Sequence, residues 1–265
     1  MEVVVLIFDL DGTLIHSTFF SDVLMEKLRR KLEENNISVE KSVIFQDIIQ
    51  RFIGKLAAAD KTPAYDWDLI MCEYLAQYNL PWKCEIEDYY KSDEVTKYSF
   101  LYKDVGGVLK WLLEKNYNMV ILTNGLHKYQ DSVILKLNLQ KFFKKIVMPN
   151  PALFNFVKPN PEIFKFATQG FPEPHISIGD SLYFDIFGAK CAGFKAIWLM
   201  RKLPKKYSEL PLQARTEKIN QNQNFLLKYI FQSAPFLKAS SHELNLEMFK
   251  PDTVIANLHE LKEIL

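Results

Sequence analysis

Cysteine is scarce and badly placed for covalent or metal cross-linking. The three residues Cys72, Cys84 and Cys191 are odd in number and include no CxxC pair, which excludes a disulfide framework and a zinc site. They are read as buried bystander thiols in a reducing cytosol. The five histidines, His16, His127, His175, His242 and His259, form no cluster and are read as surface or core residues. Charge of one sign is lacking as well. Thirty-three Lys plus Arg face 32 Asp plus Glu, leaving +1, so global charge supports neither a nucleic-acid nor a membrane-surface partner. No apolar run reaches the roughly 18 residues of a transmembrane helix. No basic region precedes the short apolar run at the N-terminus and no cleavage-type segment follows it, so a cytoplasmic location is expected. Hydrophobic content of 48% and charged content of 25% are ordinary for a globular chain. Its length suits one large domain or two small ones with a real core.

What is present concentrates at one place first. The stretch IFDLDGTLIHS, Ile7 to Ser17, sets two aspartates directly after the apolar run Val3 to Phe8. That run is rich in β-branched residues and reads as a strand buried on both faces. Asp9 and Asp11 are like charges one residue apart, and close carboxylates repel unless a cation or a proton intervenes.

The chain then divides. Residues from about 18 to 95 carry amphipathic helical patterns without a convincing strand, as in Phe20, Val23, Leu24, Lys27 and Leu28. This is expected to be an inserted helical domain, a cap, between core segments 1–17 and 96–265. From about 104 the rhythm becomes strand and helix in alternation, with strands expected at YNMVILTNG, KKIVMP, HISIGDS and FKAIWLM. Alternation of this kind predicts an α/β fold: βαβ units in a parallel sheet with helices on both faces. Ligands of open α/β sheets lie beyond the carboxyl ends of the strands, where this sequence turns polar.

Four strand ends stand out: Asp9 to Thr13; Thr123, Asn124 and Gly125; Lys158 ahead of a helix that Pro161 can begin; and Gly179, Asp180 and then Asp185. Singly, Thr-Asn-Gly is an ordinary turn, Lys-Pro an ordinary loop and Gly-Asp a common turn pair. Their order and placement at strand tips give them weight. Carboxylates without His or Cys partners suit a hard cation, and magnesium is the usual occupant where phosphate also binds. An aspartate can attack phosphorus. A second carboxylate can protonate the leaving oxygen and later deprotonate water.

In these four motifs the chain resembles the haloacid dehalogenase-like hydrolase superfamily, over residues 1 to 200 and again from about 250. The resemblance implies a Rossmann-like core with magnesium-dependent phosphoryl transfer. Asp9 would then be the nucleophile and a metal ligand, and Asp11 the general acid/base, giving magnesium its backbone carbonyl. Asp180 would be the third protein ligand, with Asp185 supporting the site through water or Lys158. Thr123 and the backbone amide of Asn124 would hold the phosphoryl group, and Lys158 would neutralise charge as two anions meet.

Two features depart from the family pattern. Asp185 is often preceded by asparagine in this family, but Phe184 stands here. Residues 203 to 249 form an atypical insertion; over residues 201–250 nine Lys or Arg face four Glu, with no Asp and no Gly. Its NFLLKYIF patch could bury against the core, pair with another subunit as a homo-oligomer contact, or meet a partner. A phosphatase acting on a small phosphorylated molecule is the leading function. Its rivals are a 2-haloacid dehalogenase, which needs no leaving-group proton, a sugar phosphomutase, and a non-catalytic binding protein on the same fold. Trp67, Trp82 and Trp111 are read as helix packing.

Overall fold

This computed structural model describes residues 4–83, 85–150 and 156–265. The first apolar run becomes a strand at Val5–Phe8, each residue at 1% exposure or less. The expected first residue, Val3, lies outside the described residues. Among the described residues eight strands run in chain order: β1 (Val5–Phe8), β2 (Ile15–Ser17), β3 (Ser99–Leu101), β4 (Asn118–Leu122), β5 (Lys145–Val147), β6 (His175–Gly179), β7 (Lys195–Leu199) and β8 (Thr253–Ile255). Six of them form one parallel sheet in the order β5-β4-β1-β6-β7-β8. This is the expected Rossmann-like core.

Alternation along β1 explains its burial on two sides. Leu6 and Phe8 enter one buried cluster with Val105, Leu109 and Leu112 of helix Val105–Glu114. Val5 and Ile7 enter the other, with Ile163 and Phe164 of helix Pro161–Thr168. The chain builds outward from β1 to β4 and β5, then returns to β6 on its other flank. That reversal opens a crevice at the carboxyl ends of β4, β1 and β6. Register sets what faces it: Phe8 lies level with Ile121 and with Ile178.

The intervening segment is helical, with its longer helices at Met25–Glu33, Lys41–Leu56 and Trp67–Ala76 and its last ending at Tyr98, past the expected boundary at 95. Its entry and exit were not anticipated to pair. They form an antiparallel ribbon, β2 with β3, in which the Ser17 and Ser99 hydroxyls lie 3.0 Å apart.

The late insertion folds onto its own chain. Helix Gln223–Ser233 buries Leu226 and Ile230 completely, and the rings of Phe225 and Tyr229 meet Trp198 of β7 at 6.2 and 5.3 Å. Within the NFLLKYIF patch, Leu226 and Ile230 are buried against the core, while Phe225, Leu227, Tyr229 and Phe231 stay partly exposed. The thiols need a correction. Cys72 and Cys191 are exposed and free, because Ile70, Met71, Tyr74 and Leu75 take the inward positions around Cys72. Cys84 lies outside the described residues. Among the described residues no helix is long and apolar enough to cross a membrane.

One buried carboxylate ties the helical segment together. Asp68 accepts from Trp82 Nε1 at 2.6 Å, from the Ile86 and Glu87 amides at 3.1 Å each, and from Tyr129 Oη at 3.0 Å. The two amides open helix Glu85–Lys91, so the charge sits at the favourable end of its dipole. Asp68→Ala should lower stability by about 2–4 kcal/mol, since several buried donors lose one acceptor. Thermal melting checks this; a melting temperature equal to the parent's would contradict it.

Candidate active site

The fold brings the four strand-end motifs into one crevice. Asp9 follows β1 and is fixed there as its amide donates to Ile178 O at 2.9 Å. Thr123 follows β4, Asp180 follows β6, and Asp185 lies on the helical turn Leu182–Phe187 that Ser181 caps. Lys158 arrives from the loop before helix Pro161–Thr168. Asp9, Asp11, Thr123, Asn124, Lys158, Asp180 and Asp185 all line a single cavity.

Lys158 is the hub. Its Nζ lies 2.6 Å from Asp9 Oδ1 and 2.6 Å from Asp185 Oδ1, and its side chain is 4% exposed. Burial opposes its charge, but the two carboxylates override that and hold its pKa above the ordinary lysine range. Burial pushes the Asp9 carboxyl up to about 7, against the pull of Lys158. Asp180 stays open to water at the crevice mouth, yet packed protein on its other sides, then Asp9 and Asp185, push its carboxyl upward. Four carboxyl groups thus surround one ammonium that pairs with two of them, and the site is short of positive charge.

The residues fit a hard divalent cation. Oxygens of Asp9, Asp180 and Asp185 lie within 4.8 Å of one another. Asp9 Oδ2 is buried and has no hydrogen-bond partner. Asp185 is differently employed, since its Oδ1 takes Lys158 and its Oδ2 accepts from the Ser181 amide at 3.0 Å. No His or Cys stands among the described lining residues. Gly12 makes room for the cluster: at φ +82°, a Cβ there would sit 2.3 Å from Asp180 Oδ2.

Several neighbours were not anticipated from sequence. Gln130, one turn into helix His127–Lys136, donates from Nε2 to Asp11 Oδ2 at 2.6 Å. Gly125 permits this approach, because a Cβ there would lie 2.5 Å from Gln130 Nε2. Burial pushes the Asp11 carboxyl up to about 6, while Gln130 and Lys158 oppose the shift. Asn124 uses its side chain as a clamp on the lysine loop, accepting from Lys158 N at 2.7 Å and donating to Lys158 O at 3.0 Å. It also donates to Tyr65 Oη at 2.6 Å, which joins the helical segment to the core. Arg201, just beyond β7, donates to Thr13 O at 2.6 Å and pairs with Asp104 at 3.1 Å, anchoring the loop after Asp11. The strand-end pattern that revealed Asp9 and Asp180 also applies to Arg201; no local signal marks Gln130. Trp67 packs on Phe20 and Phe52 as read and also lines the cavity, as does Phe184.

A family model for haloacid dehalogenase-like hydrolases matches residues 3–193, and the chain belongs to that family. It is 32% identical over 223 residues to a glyceraldehyde 3-phosphate phosphatase of Pyrococcus furiosus, covering 79% of this chain and 84% of the relative. In fold it is similar to a phosphatase of the same family from Thermococcus onnurineus, with a TM-score of 0.64 at 22% identity over 100% of this chain and 97% of the other. It is also similar to the L-2-haloacid dehalogenase of Xanthobacter autotrophicus, with a TM-score of 0.59 at 18% identity over 100% of this chain and 98% of the other.

Lys158→Met should destabilise the protein by about 3–5 kcal/mol, because two buried carboxylates lose their counter-ion. The loss should be greatest at high pH and shrink as pH falls, when protonation relieves the repulsion. Denaturant melts across pH check this; a deficit that is absent, or independent of pH, would contradict it.

Proposed function

We propose that this hydrolase is a phosphatase that cleaves a small organic phosphate monoester through an aspartyl-phosphate at Asp9. The observation that carries the proposal is the state of Asp9, whose Oδ1 is held by Lys158 while its Oδ2 is buried without a partner. Asp9 Oδ1, oriented by Lys158, attacks phosphorus while Oδ2 is left for a cation, and the bond from phosphorus to the ester oxygen breaks. Asp11 gives its proton to the departing alkoxide; its raised pKa and its hydrogen bond from Gln130 suit that role. Asp11 then takes a proton from water as the water oxygen attacks phosphorus. The bond from phosphorus to Asp9 breaks, and inorganic phosphate leaves.

The remaining groups bind and balance charge. Thr123 Oγ1 already accepts from the Gly125 amide at 3.1 Å, so its own hydrogen is free to donate to a phosphoryl oxygen. The Asn124 side chain is committed to Lys158 and Tyr65, which leaves its main-chain N–H for phosphate. Lys158 offsets the charge of nucleophile and phosphate. Asp9, Asp180 and the Asp11 backbone carbonyl would hold magnesium, which when bound polarises phosphoryl oxygens and relieves the carboxylate surplus. Asp185, engaged through both oxygens, supports Lys158 and the turn after β6.

Phosphate chemistry is favoured over dehalogenation by the cavity itself. Halide leaves without a proton whereas an alkoxide needs one, and Asp11, held by Gln130 in the cavity, is placed to give it. The name of the Pyrococcus furiosus relative agrees with a phosphatase. We further read residues 18–98 as a cap on the core, hinged at the β2–β3 ribbon, whose closure would exclude water from the aspartyl-phosphate step. The exposed free thiols Cys72 and Cys191 suit a cytoplasmic setting.

Asp9→Asn should keep the fold and lose at least about a thousandfold in turnover of phosphate esters. Chelation by EDTA should abolish wild-type turnover, and magnesium should restore it. Phosphate release assays with a parallel circular dichroism spectrum decide; full activity after exhaustive chelation would overturn the metal assignment. Asp11→Asn should slow alkyl esters by about 10²–10⁴-fold and p-nitrophenyl phosphate far less, because only the alkoxide needs the proton. Equal slowing of both esters would remove Asp11 as the general acid.

A further inference from the structure

We infer that the substrate's alcohol half is an uncharged, ring-sized apolar group; this refines the phosphatase reading and rests on it. The cavity holds about 390 Å³, and its two ends differ in character. The core supplies the carboxylates and Lys158 at one end. The helical segment supplies Phe20, Phe45, Phe52, Tyr65 and Trp67 at the other, and Phe184 completes that wall from the core. Phe52 stacks on Trp67 at 5.3 Å with an interplanar angle of 18°, and Phe20 meets Trp67 edge-on at 5.1 Å. Tyr65 closes the wall against Phe184 at 6.5 Å. Core packing does not account for Phe45, which is left 45% exposed at the rim.

Polar groups at this end are few, and most of their hydrogen bonds are already made. Tyr65 Oη accepts from Asn124, Tyr129 Oη donates to Asp68, Ser17 pairs with Ser99, and Gln130 donates to Asp11. The Tyr65 hydroxyl hydrogen and Gln130 Oε1 stay open, too few groups to replace the water a polyol would lose, which disfavours it. A second anionic group fares worse, since among the described lining residues Lys158 is the one cation and both its carboxylate partners hold it. An apolar ring gains by leaving water and stacking on Trp67 and Phe52. The phenylalanine before Asp185, where the family often has asparagine, belongs to this wall.

The test compares alkyl esters with similar leaving groups on the magnesium-loaded full chain: 2-phenylethyl phosphate, glycerol 1-phosphate, glyceraldehyde 3-phosphate and 2-phosphoglycolate. The KM for 2-phenylethyl phosphate should be at least about tenfold below the others, from burial of the ring. That advantage should fall severalfold in Phe45→Ser and in Phe184→Asn. Phe45 is half in water, so its replacement leaves folding intact. In parallel, 2-phenylethanol is titrated calorimetrically into metal-free protein and should give saturable heat that weakens in both variants. A KM for any polyol or carboxylate ester equal to or below that of the phenylethyl ester would overturn the inference and leave the phosphatase proposal standing. Release of phosphate from none of the esters would instead sink the phosphatase proposal. The alcohol titration then decides the cavity alone: saturable heat lost in the variants supports the apolar wall, and no heat refutes it.

Discussion

The ammonium of Lys158 is the interaction on which the site depends. Buried charge survives only when paired, and here one cation serves two aspartates that arrive from opposite flanks of the sheet centre. Asp9 is held at the end of β1, Asp185 on the turn after β6, and the lysine loop is clamped by the side chain of Asn124 after β4. Each strand end is thereby tied to the others through a single group. The same arrangement leaves the crevice short of positive charge. A hard divalent cation would answer that imbalance.

A second set of contacts relates the helical segment to this centre. Tyr65 reaches Asn124, and Asp66 takes Lys128 at 2.7 Å, so the helical segment contacts the turn and helix that follow β4. The β2–β3 ribbon supplies the connection, and the aromatic wall lies above the carboxylates. Charge and apolar surface are therefore separated in the chain: the strand ends supply the first, and the inserted helices supply the second. Phe184 and Tyr65 are where the two meet.

Much of the sheet was legible because its strands are buried on both faces and end abruptly in polar residues. Asp9, Thr123 and Asp180 are each the first polar residue after such a run, and parallel register does the rest. The β2–β3 ribbon escaped notice because three-residue strands leave no period to read. Gln130 was invisible for another reason: it is one polar residue on an amphipathic helix, and its value comes from Gly125 lying beneath it. Trp67 and Phe52 look like packing residues in sequence, and they do pack; that their outer faces line a cavity follows from tertiary arrangement. The insertion at 203–249 was recognised as irregular, but its burial partner, Trp198, could be found only once β7 was in place.

The central claim is that Asp9 is the nucleophile, and chemical trapping tests it most directly. Enzyme quenched during turnover of a phosphate ester is reduced with borohydride, which converts an aspartyl-phosphate to homoserine, and the chain is digested and sequenced by mass spectrometry. Homoserine should appear at position 9, require both substrate and magnesium, and vanish in Asp9→Asn. Reduction at any other carboxylate, or steady turnover with no homoserine at position 9, would contradict the account.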